Sequence, residues 1–182
     1  KTVYVEAEWD PMDPIGESRY IANLRRETNF PNVTVAQAWL DRDDCASVLE
    51  QQAAFEFVRS VRHKPRANSS HKDAAPGGMN DAKWRAGFGR LAPLGLHFDL
   101  QTPWWHLAEA ARLACDFPDT TIILNHTGLP SDRSDEGLAN WERAIKTLAS
   151  CPNAMIKISG LGQRGQTWTV DANRAIVLKA IE

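Results

Sequence analysis

Residues 97–130 read HFDLQTPWWHLAEAARLACDFPDTTIILNHTGLP. The pattern predicts a strand over Leu96–Leu100, a turn containing Pro103, an amphipathic helix over Trp104–Phe117 and a second strand over Thr121–Leu124. Two strands joined by a crossover helix pair in parallel. Asp99 and Gln101 close the first strand, Asn125 and His126 the second, and a Pro- or Gly-bearing turn follows each. Polar side chains at the carboxyl ends of neighbouring parallel strands are where α/β folds gather their chemistry.

The same plan extends in both directions. Upstream, strands are expected over Val3–Trp9, Val33–Leu40 and Phe57–Lys64, with helices over Glu17–Glu27, Cys45–Phe55 (capped by Asp43 or Asp44) and Ala82–Leu91. Arg66–Asn80, rich in Ser, Pro and Gly, reads as a loop long enough to be functional or mobile. Downstream come a loop over Gly128–Gly137, a helix over Leu138–Ser150, a strand over Ala154–Ser159 and a last helix from Asp171. Six strands alternating with helices argue for a parallel sheet. A (β/α)8 barrel needs eight, so the reading is an incomplete TIM barrel of about six β/α units, one domain over 1–182, with the first and last strands missing. The absence of an initiator Met and the ending inside a helix fit an internal fragment of a longer protein.

Composition bounds the partners. A net charge of -2 and a pI near 6.2 give no reason to expect nucleic acid or an anionic membrane. No apolar run approaches the ~20 residues that span a bilayer. Cys45, Cys115 and Cys151 are scattered and odd in number, which suits reduced thiols in a cytoplasmic protein. No Gly-rich dinucleotide or P-loop motif follows a strand, and no G-x-S-x-G, HExxH or paired CxxC occurs.

The residues expected to carry chemistry lie at strand carboxyl ends: Glu6 and Glu8, Asp41, Arg62 and His63, Asp99 and Gln101, Asn125 and His126, Lys157 and Ser159. Because side chains alternate along a strand, only one of each adjacent pair points inward, and the sequence leaves the parity open. His126 follows the apolar run TIIL and precedes Thr127-Gly128, a position suited to a metal ligand or a general base. The alternative is a ring that hydrogen-bonds a neighbouring loop. Arg62 is suited to a carboxylate or a developing oxyanion, and the bland reading is a solvated basic strand end. Glu8 suits a metal, a lysine or a sugar hydroxyl. Trp9, Trp104 and Trp105 suit either the wall of a pocket or the core, and Trp39 and Trp84 the core. His71 and His97 are expected to be structural, and His106, in the first turn of a helix, a surface or packing residue.

Four segments carry a resemblance: YVEAEWD with GESRYIANL, VRSVRHKPR, the 97–130 stretch, and NAMIKISGLG. In that order they resemble the TIM-barrel metal-dependent hydrolases of the amidohydrolase superfamily, in the amidohydrolase-2 group. Within that group they are most similar to the sugar-lactonase and 2-pyrone-4,6-dicarboxylate lactonase branch. The resemblance implies a small-molecule substrate and a divalent metal such as zinc, although the lactonase branch includes members without one. Asn125, His126, Gly128 and Pro130 match the family's pattern after its sixth strand, so the resemblance gives His126 a role on the metal or the substrate carbonyl. It makes Arg62 and His63 candidates for catalysis and substrate binding, and Gln101 and Glu8 match positions that commonly line the same mouth; Trp104 and Ser159, read from their places at strand ends and turns, join them as substrate-binding candidates. Val58–His63 departs from the branch pattern in having Ser60 where Gly is usual.

The family's His-x-His pair would precede Lys1, and its water-activating Asp would follow Glu182. The segment by itself is therefore expected to be inactive and poorly stable, with exposed strand edges. The functional expectation is a hydrolase that opens a lactone or similar cyclic ester. The alternatives are a nonhydrolytic decarboxylase on the same barrel and a noncatalytic degenerate barrel.

Overall fold

The computed structural model describes residues 1–182. Strands and helices alternate throughout: β1 (Val3–Val5), α1 (Gly16–Thr28), β2 (Val33–Gln37), α2 (Cys45–Ala53), β3 (Val58–His63), α3 (Ala82–Phe88), β4 (His97–Leu100), α4 (Leu107–Asp116), β5 (Ile122–Leu124), α5 (Asp135–Ala149), β6 (Ala154–Ile156) and α6 (Val170–Ile181). The strands form one sheet in chain order, β1-β2-β3-β4-β5-β6. Its register is parallel, with Val3 opposite Val33, Gln37 opposite Arg62, and Leu124 opposite Ile156. This is the expected α/β class, six β/α units of the TIM-barrel plan. The chain divides into two compact units, Lys1–Lys64 with Asn80–Asp99, and Pro65–Met79 with Leu100–Glu182.

Several boundaries differ from the sequence expectation. The first strand stops at Val5, four residues short of Trp9, because the chain turns away through Glu8 at φ 56°. Trp104–His106 is a 3₁₀ turn, so α4 begins at Leu107. Helix α5 starts three residues early, where Ser134 accepts a hydrogen bond from the Gly137 N–H at 3.1 Å. Asp81, as expected, caps α3 by accepting from the Trp84 N–H at 2.9 Å. Asp44 precedes α2 without capping it; its carboxylate is held by Arg42 instead.

In the first unit, Trp84 and Phe88 of α3 pack on Phe98 of β4, with ring centroids 5.1–5.6 Å apart. A Cβ at Gly87 would strike the Leu40 carbonyl, so glycine is what lets α3 seat against the loop after β2. Glu17 of α1, buried, accepts from the Tyr4 hydroxyl at 2.7 Å and from the Ala7 N–H at 2.8 Å, tying the helix to β1 and the turn beyond it.

In the second unit, the long loop after β3 is pinned to the start of α4. His106 is 3% exposed. Its Nε2 accepts from the Asn68 N–H at 2.9 Å and its Nδ1 lies 3.0 Å from Glu109 Oε1. An acceptor at Nε2 puts the ring proton on Nδ1, facing the carboxylate. The same Glu109 oxygen accepts from the Gly77 N–H at 2.6 Å. The Trp105 indole donates to Asn68 O at 3.1 Å, and His71 stacks on Trp104 at 5.5 Å. His106 is thus structural, but as a buried strap for the loop.

Replacing His106 with Leu leaves the Asn68 N–H without an acceptor and Glu109 without its donor. We expect a loss of about 1–3 kcal/mol in unfolding free energy. Faster amide exchange, measured residue by residue, should be concentrated in 65–79.

Candidate active site

Polar side chains collect at the carboxyl ends of the strands in both units. In the first unit the centre is Glu6, which is 4% exposed. Its carboxylate receives Arg62 Nε on one oxygen and the Glu8 N–H, at 2.7 Å, on the other. Arg62 Nη2 also donates to Glu6 O at 2.7 Å. Nη1 makes no hydrogen bond and remains available to a ligand oxygen. A buried carboxylate with both oxygens occupied fixes the guanidinium in one orientation. Gln37, opposite Arg62 on β2, has a buried Oε1 that accepts no hydrogen bond. Glu6, Gln37 and Arg62 line a cavity of about 100 Å³ with Glu8, Trp39, His63 and Lys64.

Strand alternation separates the two expected residues on β3. Ser60 and Arg62 share one face, where the Ser60 hydroxyl donates to the buried Asp99 carboxylate at 2.6 Å. His63 lies on the other face, against Trp84 of α3. Its Nδ1 accepts from the Leu40 N–H at 3.1 Å and from the Trp84 indole at 3.0 Å. These donors place the ring proton on Nε2, which lies 3.9 Å from Asp41 Oδ1. Burial pushes the His63 pKa down, against a weaker upward pull from Asp41. Arg62 and His63 thus line one small cavity with different partners, Arg62 bonded to Glu6 and His63 to the Leu40 and Trp84 N–H groups. Glu8 is exposed and ion-paired with Lys64, which holds its carboxyl below the usual carboxylate range.

In the second unit the site is built on an unusual turn. After β5, His126, Thr127, Gly128 and Leu129 have φ of 54°, 51°, 69° and 55°. Left-handed backbone costs roughly 1–2 kcal/mol for each non-glycine residue. The surroundings hold it there. Leu129 N–H donates to His126 O at 2.8 Å and Thr127 N–H to Lys157 O at 3.1 Å. Thr127 Oγ1 donates to Ser159 O at 2.7 Å, and the fully buried Trp141 of α5 donates from its indole to Thr127 O at 2.7 Å. Ser159 Oγ accepts from the His126 N–H at 3.2 Å and lies 3.1 Å from His126 Nδ1. The Ser159 hydroxyl can donate to Nδ1 or accept from an Nδ1–H, so the contact orients the ring in either tautomer. Gly160, at φ 66°, passes so close that a Cβ there would lie 2.5 Å from His126 Cβ.

His126 and Ser159 therefore meet, as two of the expected site residues. Gln101 sits half-buried after β4, and Trp104 is covered by His71. Trp9 is 44% exposed and stacks on Tyr20. Gln37 escaped the sequence reading because the strand was extended to Leu40; the break in VTVAQ at the first long polar residue was the available signal. No three His, Cys, Asp or Glu side chains approach one another as a metal-holding group. The residues of this chain alone thus do not make the three-ligand set of a catalytic zinc.

Alternating strands and helices with polar strand ends around the NHTGLP turn are the plan of a barrel-type α/β fold. The amidohydrolase family model (Amidohydro_2) matches residues 3–182, and the chain belongs to that family. An uncharacterized protein of Sinorhizobium fredii is 35% identical over 187 residues, covering 100% of this chain and 62% of its own length. A shorter match, 41% over 44 residues, covers 22% of this chain and 15% of the L-fucono-1,5-lactonase of Burkholderia multivorans. Among solved structures, a Burkholderia multivorans amidohydrolase with bound HEPES superposes with a TM-score of 0.75 at 21% identity, over 98% of this chain and 63% of that one. A second crystal form of it contains zinc and gives 0.74 at 19%, over 98% and 62%. A probable 2-pyrone-4,6-dicarboxylic acid hydrolase from Acinetobacter baumannii, with citric acid bound, gives 0.64 at 13%, over 97% and 61%. At these identities the structural likeness is one of fold. The chain spans about three-fifths of the length of the Sinorhizobium relative and of these structures.

Two outcomes test this geometry. Gly160→Ala should cost at least about 1–2 kcal/mol from the left-handed φ alone, and the contact with His126 should move the His126 ring resonances in an NMR spectrum. For His63, the folded pKa lies below the ordinary value of about 6.5. The unfolded chain then binds a proton that the folded chain refuses, so stability present above about pH 6.5 falls as the pH is lowered toward the folded pKa. Denaturant midpoints between about pH 7 and about pH 5.5 should show a shallower slope in His63→Gln than in the parent.

Proposed function

We propose that the protein of which 1–182 is one partial barrel domain hydrolyses a lactone or a similar cyclic ester. The observation that carries this reading is the His126–Ser159 pair on the left-handed turn. We take the tautomer in which Ser159 donates to Nδ1, and in it His126 is proposed to turn Nε2–H to a carbonyl oxygen. Water adds to the carbonyl carbon, charge develops on that oxygen, and the Nε2–H bond strengthens as it does so. The ring C–O bond then breaks, the leaving oxygen takes a proton, and a hydroxy acid is released. In the first unit, Arg62 Nη1 is proposed as a separate donor to a hydroxyl or carboxylate oxygen, with Glu6 holding the guanidinium and His63 and Glu8 lining the same small cavity. Gln101 and Trp104 are proposed as substrate contacts after β4.

The match to a lactonase segment supports a lactone over an amide. His126 is the ligand that this chain would offer to a divalent metal. No helix is long and apolar enough to cross a membrane. The three cysteines form no disulfide, which supports a reducing, cytoplasmic setting.

A panel of sugar lactones, followed by pH-stat titration, tests the reading. His126→Ala should lower kcat roughly 100- to 10,000-fold, and Ser159→Ala roughly 3- to 10-fold, the worth of one hydrogen bond. Carbon dioxide release from an unsaturated acid without ring opening of any lactone would sink the proposal.

A further inference from the structure

Two cysteines of the second unit meet at the amino ends of β5 and β6, the opposite end of these strands from His126 and Ser159. Cys115 lies in the last turn of α4 and is exposed; Cys151 follows α5 and is 5% exposed. The Cys151 thiol donates to Ala111 O of α4 at 3.6 Å. Ala111 precedes Cys115 by one turn on the same face, and a helical side chain leans back over that turn. The Cys115 sulfur thus comes to the carbonyl that Cys151 already touches, and the two thiols are hydrogen-bonded to each other. Burial, and after it the Cys115 thiol alongside, pushes the Cys151 pKa up. Asn153 fastens the same segment independently of either thiol. Its Nδ2 donates to Ala114 O and Phe117 O at 3.1 Å and to Thr120 O at 2.9 Å, carbonyls at or beyond the end of α4.

We propose that Cys115 and Cys151 are a redox modification site, joined in a reversible disulfide by exchange with a small-molecule disulfide such as glutathione disulfide. Cys115, which solvent reaches, reacts first. As the thiolate it attacks one sulfur of glutathione disulfide, the S–S bond breaks, and one glutathione thiolate leaves. Cys151, shielded from the reagent, then loses its proton and attacks the Cys115 sulfur, expelling the second glutathione. The two cysteines lose two electrons, and glutathione disulfide takes them up to become two thiols, which carry off the two protons. The raised Cys151 pKa leaves little thiolate near neutral pH, so this second step quickens as the pH rises. An exposed thiol beside a shielded second cysteine is the arrangement of an attacking and a resolving pair. The thiols are free as the fold stands, and transient bonds are the form that disulfides take in a reducing compartment. The bond closes the chain from 115 to 151, a loop that carries β5, the left-handed turn and α5. Such a cross-link stabilises by restricting the unfolded chain.

The test places the full-length protein in buffers of stepped glutathione disulfide to glutathione ratio and maps its tryptic peptides without reductant. The expected product is the peptide Leu113–Arg133 joined to Thr147–Lys157, lighter by two hydrogens than their sum and separated by dithiothreitol. The oxidised protein should unfold at a higher urea concentration than the reduced one. In Cys151→Ser the reaction should stop with one glutathione on Cys115. In Cys115→Ser, Cys151 should stay free until denaturant exposes it. A parent protein in which Cys115 stays free or stops at the glutathione adduct at every ratio overturns the proposal. So does a Cys115 joined to a second molecule, or a joined peptide found only in denaturant. The peptide map of the parent decides the matter even where a serine variant fails to fold.

Discussion

The left-handed run from His126 to Leu129 cannot hold itself. Three of its four residues carry a Cβ that this backbone disfavours, a cost on the order of 3–6 kcal/mol in sum. What keeps the run in place comes from outside it: Lys157 and Ser159 beyond β6, Trp141 on α5, and the missing side chain at Gly160. The orientation of His126 is therefore a consequence of how β6 and α5 pack. A change in either reaches the imidazole through backbone geometry, without touching the ring.

The first unit reaches order by a different route. Glu6 is almost wholly removed from water, and an unpaired carboxylate there would cost several kcal/mol. Arg62 and the Glu8 amide satisfy both of its oxygens, so the pair is neutral in sum and rigid in direction. Such a pair adds little to stability when weighed against an apolar alternative. What it supplies is a guanidinium that cannot swing away, beside the unpaired Gln37 Oε1. In one unit the backbone is strained to aim a side chain; in the other a buried charge is paired to do so.

The alternation of strands and helices was legible because apolar runs, turn residues and crossover lengths are local properties. The candidate residues at strand ends were legible for the same reason. Parity was not. Both faces of a parallel strand are buried, so β3 shows no polar face to distinguish Arg62 from His63. Only the positions of Glu6, just after β1, and Trp84 on α3 settle which side chain faces which way. The left-handed turn left one trace in the sequence, Gly128, whereas His126, Thr127 and Leu129 adopt that backbone against their own preference. The strap role of His106 depends on Asn68 and Gly77, distant in sequence and within a loop that carries no periodic signal.

The histidines show why partner chemistry, more than position, separates a candidate polarising group from a structural one. His63 receives two N–H donors on Nδ1. His106 spends Nε2 on a backbone amide and Nδ1 on a carboxylate. Each of these rings is consumed by the fold, and the carboxylate beside His106 tightens a strap. His126 instead has a hydroxyl on Nδ1. A hydroxyl can donate to a ring nitrogen or accept from its N–H, so Ser159 holds the plane of the His126 ring while leaving both tautomers open, which neither the N–H donors on His63 nor the carboxylate beside His106 do.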